Sequence, residues 1–485
     1  MSDVHSVGGY VTAGSLFALG LASWQVLVSL VVGILLVNVA TNLVAKPSQR
    51  TGVPYPVVNR AVFGVLGANV PGIIRGVIAT AWYGVQTYLA AQSLTMVALT
   101  VVPGSAALLE PSFLGLDALG WISYGVLWVA QAALFWRGME AVRRFIDVAG
   151  PAVYVVMIAL AVHLVSTAGW ENVSLTLSAG PPMTLWASLP VMASAVAIVV
   201  SYFSGPVLNF GDFSRYGRSL RSVRKGNLLG LPVNFLVFSV LTVLCASATV
   251  PVFGRLITDP VETVEAIGTP FVVLLGGLTF VTATVGVNIV ANFISPAFDF
   301  SNVSPRRISW RAGGMIAAVG SVLLTPWNWY GDAQAIQYTL GVLGALVGPL
   351  FGVLVAGYYL VARQRIAVDD LYTRSRTGRY WYRGGVNPNA VAATAGAGLV
   401  SVATAVVPSI VEGTGGPAVA WAGHFSWFVG CGLGLLAFWA LERRRPRMPE
   451  LDPAEDGVDD GSEERGAASI LPGRLRRGDA RPPSR

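Results

Sequence analysis

Residues 189–209 read LPVMASAVAIVVSYFSGPVLN. The stretch is long and apolar enough to cross a hydrocarbon layer ~30 Å thick, which takes about 20 residues, yet Ser204-Gly205-Pro206 stands near its end. Proline removes a backbone donor and clashes with the preceding turn, and glycine tolerates unusual dihedrals, so Gly205 and Pro206 favour an interruption inside a lipid-buried helix. A simple kink packed by neighbours is the plainer alternative. The first apolar run has a matching feature in Ser6-Val7-Gly8-Gly9. If helices 1 to 5 and 6 to 10 form two repeats, the breaks at Gly8-Gly9 and Gly205-Pro206 fall in equivalent helices, where an inverted-repeat architecture places a small-molecule site.

The rest of the chain agrees with a membrane reading. Of 485 residues, 54% are hydrophobic and only 12% charged, with a mean hydropathy of +0.63, whereas soluble domains carry roughly 25% charged residues. Candidate spans lie near 4–21, 26–45, 72–101, 120–135, 145–167, 189–209, 228–249, 271–294, 312–326, 336–360, 390–410 and 419–441. Charge placement tests that series, because Lys and Arg collect on the cytoplasmic side of span ends. With both termini cytoplasmic, twelve spans put every Lys and Arg except Arg255 on the inside. The net charge of +7 is thereby explained by topology, and no nucleic-acid partner is needed. Residues 1–445 form the expected transmembrane domain of an all-α integral membrane protein in the inner (plasma) membrane. Residues 446–485 are rich in Pro, Gly, Asp, Glu and Arg, and read as a disordered cytoplasmic tail. Cys245 and Cys431 lack a CxxC partner, so neither a disulfide scaffold nor a metal site is indicated. No cleavable leader is evident.

Polar side chains within spans come next, since lipid offers them no hydrogen-bond partner. Trp82 and Gln86 stand four apart in helix 3, and Asn288 and Asn292 four apart in helix 8, so each pair shares a face. An amide offers one acceptor and NH donors that match the edge of a pyrimidine, purine or hydantoin ring. An indole offers a flat face for stacking, worth ~1–3 kcal/mol per base at nucleic-acid sites. Tyr202 and Phe203 flank the interruption in helix 6. The bland alternative is that the amides are interhelical glue at ~0.6 kcal/mol each.

Six collinear segments carry a resemblance. RTGVPYPVVNRAVFGVLGANVP (50–71), WYGVQTYLAAQ (82–92), LNFGDFSRYGRS (208–219), NIVANFISPAFDFSN (288–302), LGALVGPLFGVLVAGYYLV (343–361) and VDDLYTRSRTGRYWYRGGVNPNA (368–390) together resemble the nucleobase:cation symporter-1 family. The resemblance implies a leucine-transporter-like fold: a five-plus-five inverted repeat with broken helices 1 and 6, and two extra helices. It also implies import of uracil, cytosine, purines, allantoin or hydantoins by symport with sodium or protons, with no cofactor beyond the co-transported cation. Carried over by motif, Trp82 is the stacking residue of helix 3 and Gln86 the amide that reads the ring edge. Asn292 is the substrate amide of helix 8 and Asn288 its neighbour one turn earlier. Phe203 matches a stacking position in helix 6, with Tyr202 one place away as the alternative.

Two departures bear on mechanism. Family members have a half-helix before the unwound stretch of helix 1, whereas here the match to that stretch begins at Ser6, so a truncated first half-helix is expected. Sodium-dependent members carry hydroxyl side chains where this chain has Gly286-Val287, so a proton is expected as the coupling ion. Asp212 and Asp299, at the inner ends of helices 6 and 8, are the coupling candidates, against the plainer reading of solvated helix-end residues paired with an arginine such as Arg215. An enzyme would need a metal cluster, a nucleophile with a base, or paired carboxylates at useful depth. His5, His163 and His424 are scattered, and no such constellation stands out. A non-transporting receptor or truncated remnant on the same fold is the runner-up.

Overall fold

The computed structural model describes residues 6–110, 112–178, 183–330, 333–410 and 423–443. The expected tail, 446–485, lies outside them. Nine helices among the described residues are long and apolar enough to cross a membrane. A 33-residue helix, Asn69–Val101, and two shorter apolar ones complete the expected series. In order they are α1 (Val7–Ser15, extended by a 3-10 turn Leu16–Leu19), α2 (Ser23–Thr51), α3 (Asn69–Val101), α4 (Ala118–Trp136), α5 (Met139–Ala168) and α6 (Leu185–Leu208). Then follow α7 (Leu220–Phe253), α8 (Pro270–Val303), α9 (Trp310–Leu323), α10 (Gln334–Val361), α11 (Pro388–Pro408) and α12 (Gly423–Glu442).

The burial pattern is that of a protein whose solvent is lipid. On α5, Val148, Val155 and Val162 are spaced a heptad apart, and all are more than 60% exposed. Polar side chains such as Gln131, Asn288 and Arg75 are fully buried instead. Lipid provides no hydrogen-bond partners, so these groups turn inward and find one another. α1 lies at the centre, touching α3, α6, α7, α8 and α10, while α2 packs along α6, α3 along α8, and α12 along α10 and α11.

The loops that carry the basic residues meet at one end of the molecule. Arg60, after α2, donates to the Leu371 carbonyl at 3.2 Å and to Asn302 Oδ1 at 2.6 Å. Asn302 Nδ2 reaches Asn69 Oδ1 at 3.0 Å. Asn387, before α11, donates to the Val62 carbonyl and to Glu442 Oε1. The connections between α2 and α3 and between α10 and α11 are thus tied to each other and to the ends of α8 and α12.

Candidate substrate site

α1 starts where the sequence suggested an interruption. Ser6 caps it, accepting from the Gly9 N–H at 3.0 Å, so Gly8 and Gly9 lie in its first turn. Gly8 serves close approach, since a Cβ there would sit 2.6 Å from Gln86 Nε2. In α6 the break falls later than expected. The helix runs through Ser204, Gly205 and Pro206 to Leu208, and gives way at Asn209-Phe210 before the single turn Gly211–Ser214. Proline removes only its own donor, and the turn is held otherwise. The Gly205 carbonyl accepts from the Asn209 N–H at 3.3 Å and from Arg75 Nε at 3.1 Å. Without a side chain, Gly205 lets the guanidinium rest against the backbone.

α8 contains an interruption that the sequence reading did not anticipate. Residues Ile289–Ile294 form a π turn, an element often found at functional sites. In a π turn the donor for the Ala291 carbonyl would be residue 296, which is a proline. Arg75 Nη2 stands in at 3.4 Å. Arg75 is 0% exposed and so joins α3 to both α6 and α8.

Trp82, Gln86, Tyr202, Pro206, Ala291 and Asn292 together line one small void. The helical spacing that put Trp82 above Gln86 therefore does bring them, with Asn292, around one void. Trp82 meets Tyr202 and Tyr330 edge to face at 5.4 and 6.0 Å, contacts worth ~0.5–1.5 kcal/mol each. The Tyr202 hydroxyl lies 3.2 Å from Ser6 Oγ and accepts from Gln86 Nε2 at 3.3 Å. Gln86 Oε1 is buried without a hydrogen-bond partner, and an unmade bond of this kind costs ~1–3 kcal/mol.

Two expected site residues stand elsewhere. Phe203 does not line the cavity. Its ring packs edge to face on Tyr202 and on Phe235 of α7, because successive helical residues point about 100° apart and Tyr202 takes the inward direction. Asn288 sits behind Asn292 and is 0% exposed. Its Nδ2 reaches the Tyr83 carbonyl, Thr87 Oγ1 and Gln131 Oε1 at 3.0, 3.0 and 2.8 Å, which is the glue role. Tyr202, the alternative at the helix 6 position, lines the cavity in place of Phe203, and Gln131 was the residue missed. A lone amide in the apolar run of α4 is the signal that marks Gln131.

Asp212 and Asp299 are not solvated helix ends, being 1% and 0% exposed. Asn209 Nδ2 donates to Asp212 Oδ2 at 3.3 Å and to Asp299 Oδ2 at 3.2 Å. The Tyr55 N–H donates to Asp212 Oδ1 at 2.9 Å, and Asp299 Oδ1 has no hydrogen-bond partner. Burial pushes the Asp212 carboxyl up to about 6, against the pull of the Tyr55 and Asn209 donors and of the Arg215 and Arg75 charges. Gly286 faces Phe145 of α5. The contact between α1 and α8 is made by Thr284, whose Oγ1 accepts from the Val7 N–H at 3.2 Å.

Twelve apolar helices among the described residues, packed around a small void lined by an indole and two amides, define a membrane transporter of the leucine-transporter-like type, with a five-plus-five inverted repeat and two further helices. The fold matches that of Mhp1, a nucleobase-cation-symport-1 family transporter solved closed with bromovinylhydantoin bound, at a TM-score of 0.72 and 22% identity over 95% of this chain and 94% of that one. The likeness extends, as fold alone, to MhsT in complex with L-phenylalanine, at a TM-score of 0.53 and 14% identity over 90% and 96% of the two chains. The chain belongs to the family of permeases for cytosine/purines, uracil, thiamine and allantoin, whose model matches residues 1–430. It is 32% identical to the allantoin permease of Bacillus subtilis (strain 168) over 447 residues, 92% of this chain and 89% of that protein. A hydantoin permease of Microbacterium maritypicum is 26% identical over 397 residues, 79% and 75% of the two chains.

Proposed function

We propose that this transporter is an inner-membrane symporter, with both termini cytoplasmic, that imports a nucleobase-like ring of the uracil, cytosine, purine, allantoin or hydantoin kind together with a proton. The observation that carries the reading is the cavity itself, where an indole and two amides, Trp82, Gln86 and Asn292, face one void. Such a set can hold a flat ring by its face and read its edge. The similarity to an allantoin permease weights the choice toward ureide rings.

Proton coupling rests on the aspartate pair. Two buried carboxylates that share one amide donor resist ionising together. The groups facing them are Arg75 from α3, Arg215 and Asn209 from the α6 end, and Tyr55 from the loop after α2. Burial favours the protonated form of Asp212, so a change in the hydration of the pair as the protein changes conformation would take up or release a proton. A hard cation wants an oxygen-rich shell. Gly286 and Val287 bring no side-chain oxygen, and Thr284 already accepts from Val7.

Uptake of labelled allantoin, hydantoin and uracil into proteoliposomes tests both parts. An imposed inward proton gradient should drive accumulation of at least one ring, and a protonophore should collapse it. Accumulation that requires sodium and ignores the protonophore overturns the coupling. Binding without counterflow would make the protein a receptor.

A further inference from the structure

α7 is too long for the layer it crosses. Its 34 residues extend about 51 Å at ~1.5 Å per residue, and even at the ~40° limit of ordinary tilt they outreach a hydrocarbon core ~30 Å thick. The surplus lies at the end that begins Leu220-Arg221-Ser222-Val223-Arg224-Lys225, since the other end closes on the apolar run 250–253. Ser219 caps this overhanging turn, accepting from the Ser222 N–H at 3.1 Å.

The two sides of the overhang differ. Leu220 and Val223 are half-buried and Asn227 is buried, its Nδ2 donating to Asn42 Oδ1 of α2 at 2.9 Å. That side is fastened to the protein. Arg221, Arg224 and Lys225 lie on the other side and are exposed, with Arg218 exposed just before them. The next turn on the same side presents Leu228 and Leu229, also exposed. Positions 221, 224, 225, 228 and 229 have the i, i+3, i+4, i+7, i+8 spacing of one helical face. That face therefore passes from cations to bare hydrocarbon side chains within a turn.

Between Asp212 and Asp259 the sequence has no acidic residue. Among the described residues, none of Arg218, Arg221, Arg224 and Lys225 has a carboxylate partner. The exposed Arg143 and Arg144 are different, being paired with Glu140 at 2.9 and 3.1 Å.

We propose that residues 218–229 form a docking surface for an anionic phospholipid, whose phosphate lies on Arg221, Arg224 and Lys225 and whose acyl chains lie along Leu228 and Leu229. A phospholipid carries both parts in this order, and four or more cations immediately inside a span recruit acidic headgroups. A soluble anion uses only the cations and leaves the apolar turn uncovered. The bound lipid holds the connection between α6 and α7 at the inner leaflet.

Native mass spectrometry of the full chain, released from mixed micelles of phosphatidylglycerol and phosphatidylcholine, tests the assignment. Wild type should retain phosphatidylglycerol at least about tenfold over phosphatidylcholine, and Arg221→Gln, Arg224→Gln and Lys225→Gln together should lower that ratio at least about fivefold. These side chains are exposed, so the triple variant should melt as wild type does in phosphatidylcholine alone. Removing three other exposed cations, with Arg374→Gln, Arg376→Gln and Arg383→Gln on the connection between α10 and α11, should leave the ratio unchanged. Glycerol 1-phosphate at the same concentration should not displace the lipid from wild type, a comparison that needs no variant to fold. An equal ratio in wild type and the 221/224/225 variant overturns the proposal. So does an equal loss in both triple variants, which would make net charge the cause. Displacement by glycerol 1-phosphate would assign the surface to a soluble anion. Phosphatidylglycerol retained only after removal of residues 446–485 would give it to the acidic stretch 450–464 of this chain, and equally overturns a lipid occupant.

Discussion

Arg75 donates through Nε to the carbonyl of Gly205 at 3.1 Å, one residue before Pro206 in the cavity wall. Its other end reaches Ala291, the next wall residue on α8. Three helices around the site are thus pinned by one buried cation, with Asp212 and Asp299 as the nearby countercharge. Arg75→Leu should destabilise the protein by about 3–5 kcal/mol, the usual result of leaving buried charge uncompensated. Arg75→Lys should fold better but transport less than a tenth of wild type, because a point charge cannot span both carbonyls. Thermal melts in detergent and uptake assays separate the two effects.

Removing the two helix 8 amides should give different failures. Asn292→Ala should abolish ring binding with stability within about 1 kcal/mol of wild type, while Asn288→Ala should cost about 1–3 kcal/mol through the partners it strands. On the facing helix, Gln86→Ala should abolish binding, and Trp82→Phe should weaken it less than Trp82→Ala. Normal binding by both Gln86→Ala and Asn292→Ala would mean that these amides serve packing only.

At Gly8, an added methyl would meet Gln86 Nε2 at 2.6 Å, so the amide must move or α1 must shift. Gly8→Ala should lower ring affinity by at least about tenfold, the loss of one hydrogen bond. Gly205→Ala, whose nearest contact is Arg75 Nη2 at 3.3 Å, should lower it less. Titration of both variants checks the order.

The aspartate pair gives a pH signature. Asp212 is raised to about 6 in the folded protein from an ordinary value near ~3.9. Its contribution to stability is therefore fully present below the ordinary value and lost as pH rises through about 6. Melting temperature should fall over that interval in the wild type and fall less in Asp212→Asn. The same variant should keep counterflow exchange and lose accumulation driven by a proton gradient. Retained gradient-driven accumulation would remove Asp212 from the coupling path.

Much of this was open to sequence reasoning because the helical repeat does the work. Trp82 and Gln86, or Asn288 and Asn292, share a face in any α-helix, and the alternation of basic loops counts the spans. What sequence spacing could not supply was depth and direction. Asn288 and Asn292 are equivalent in a helical projection, and only the neighbouring Tyr83 carbonyl and Gln131 make one a strut and the other a wall. Phe203 and Tyr202 differ by one position, and the packing of Phe235 decides between them. Gly205-Pro206 carries the composition of a break, but the helix runs through it to Leu208, and the Gly205 carbonyl is held by both Asn209 and Arg75. Arg75 itself reads as one more residue of the basic inner set until its burial is known.

The hydroxyl of Tyr202 joins Ser6, the cap of α1, to Gln86 of α3. A ring that engages Gln86 competes with that hydroxyl, so arrival of cargo would also loosen the clasp between the start of α1 and α3. Recycling without cargo has no such competitor and must break the clasp by thermal fluctuation alone. Exchange of labelled for unlabelled ring should therefore outpace net uptake, and a ring placed on the far side should accelerate entry. The velocity of the carrier would then be set by its unladen return.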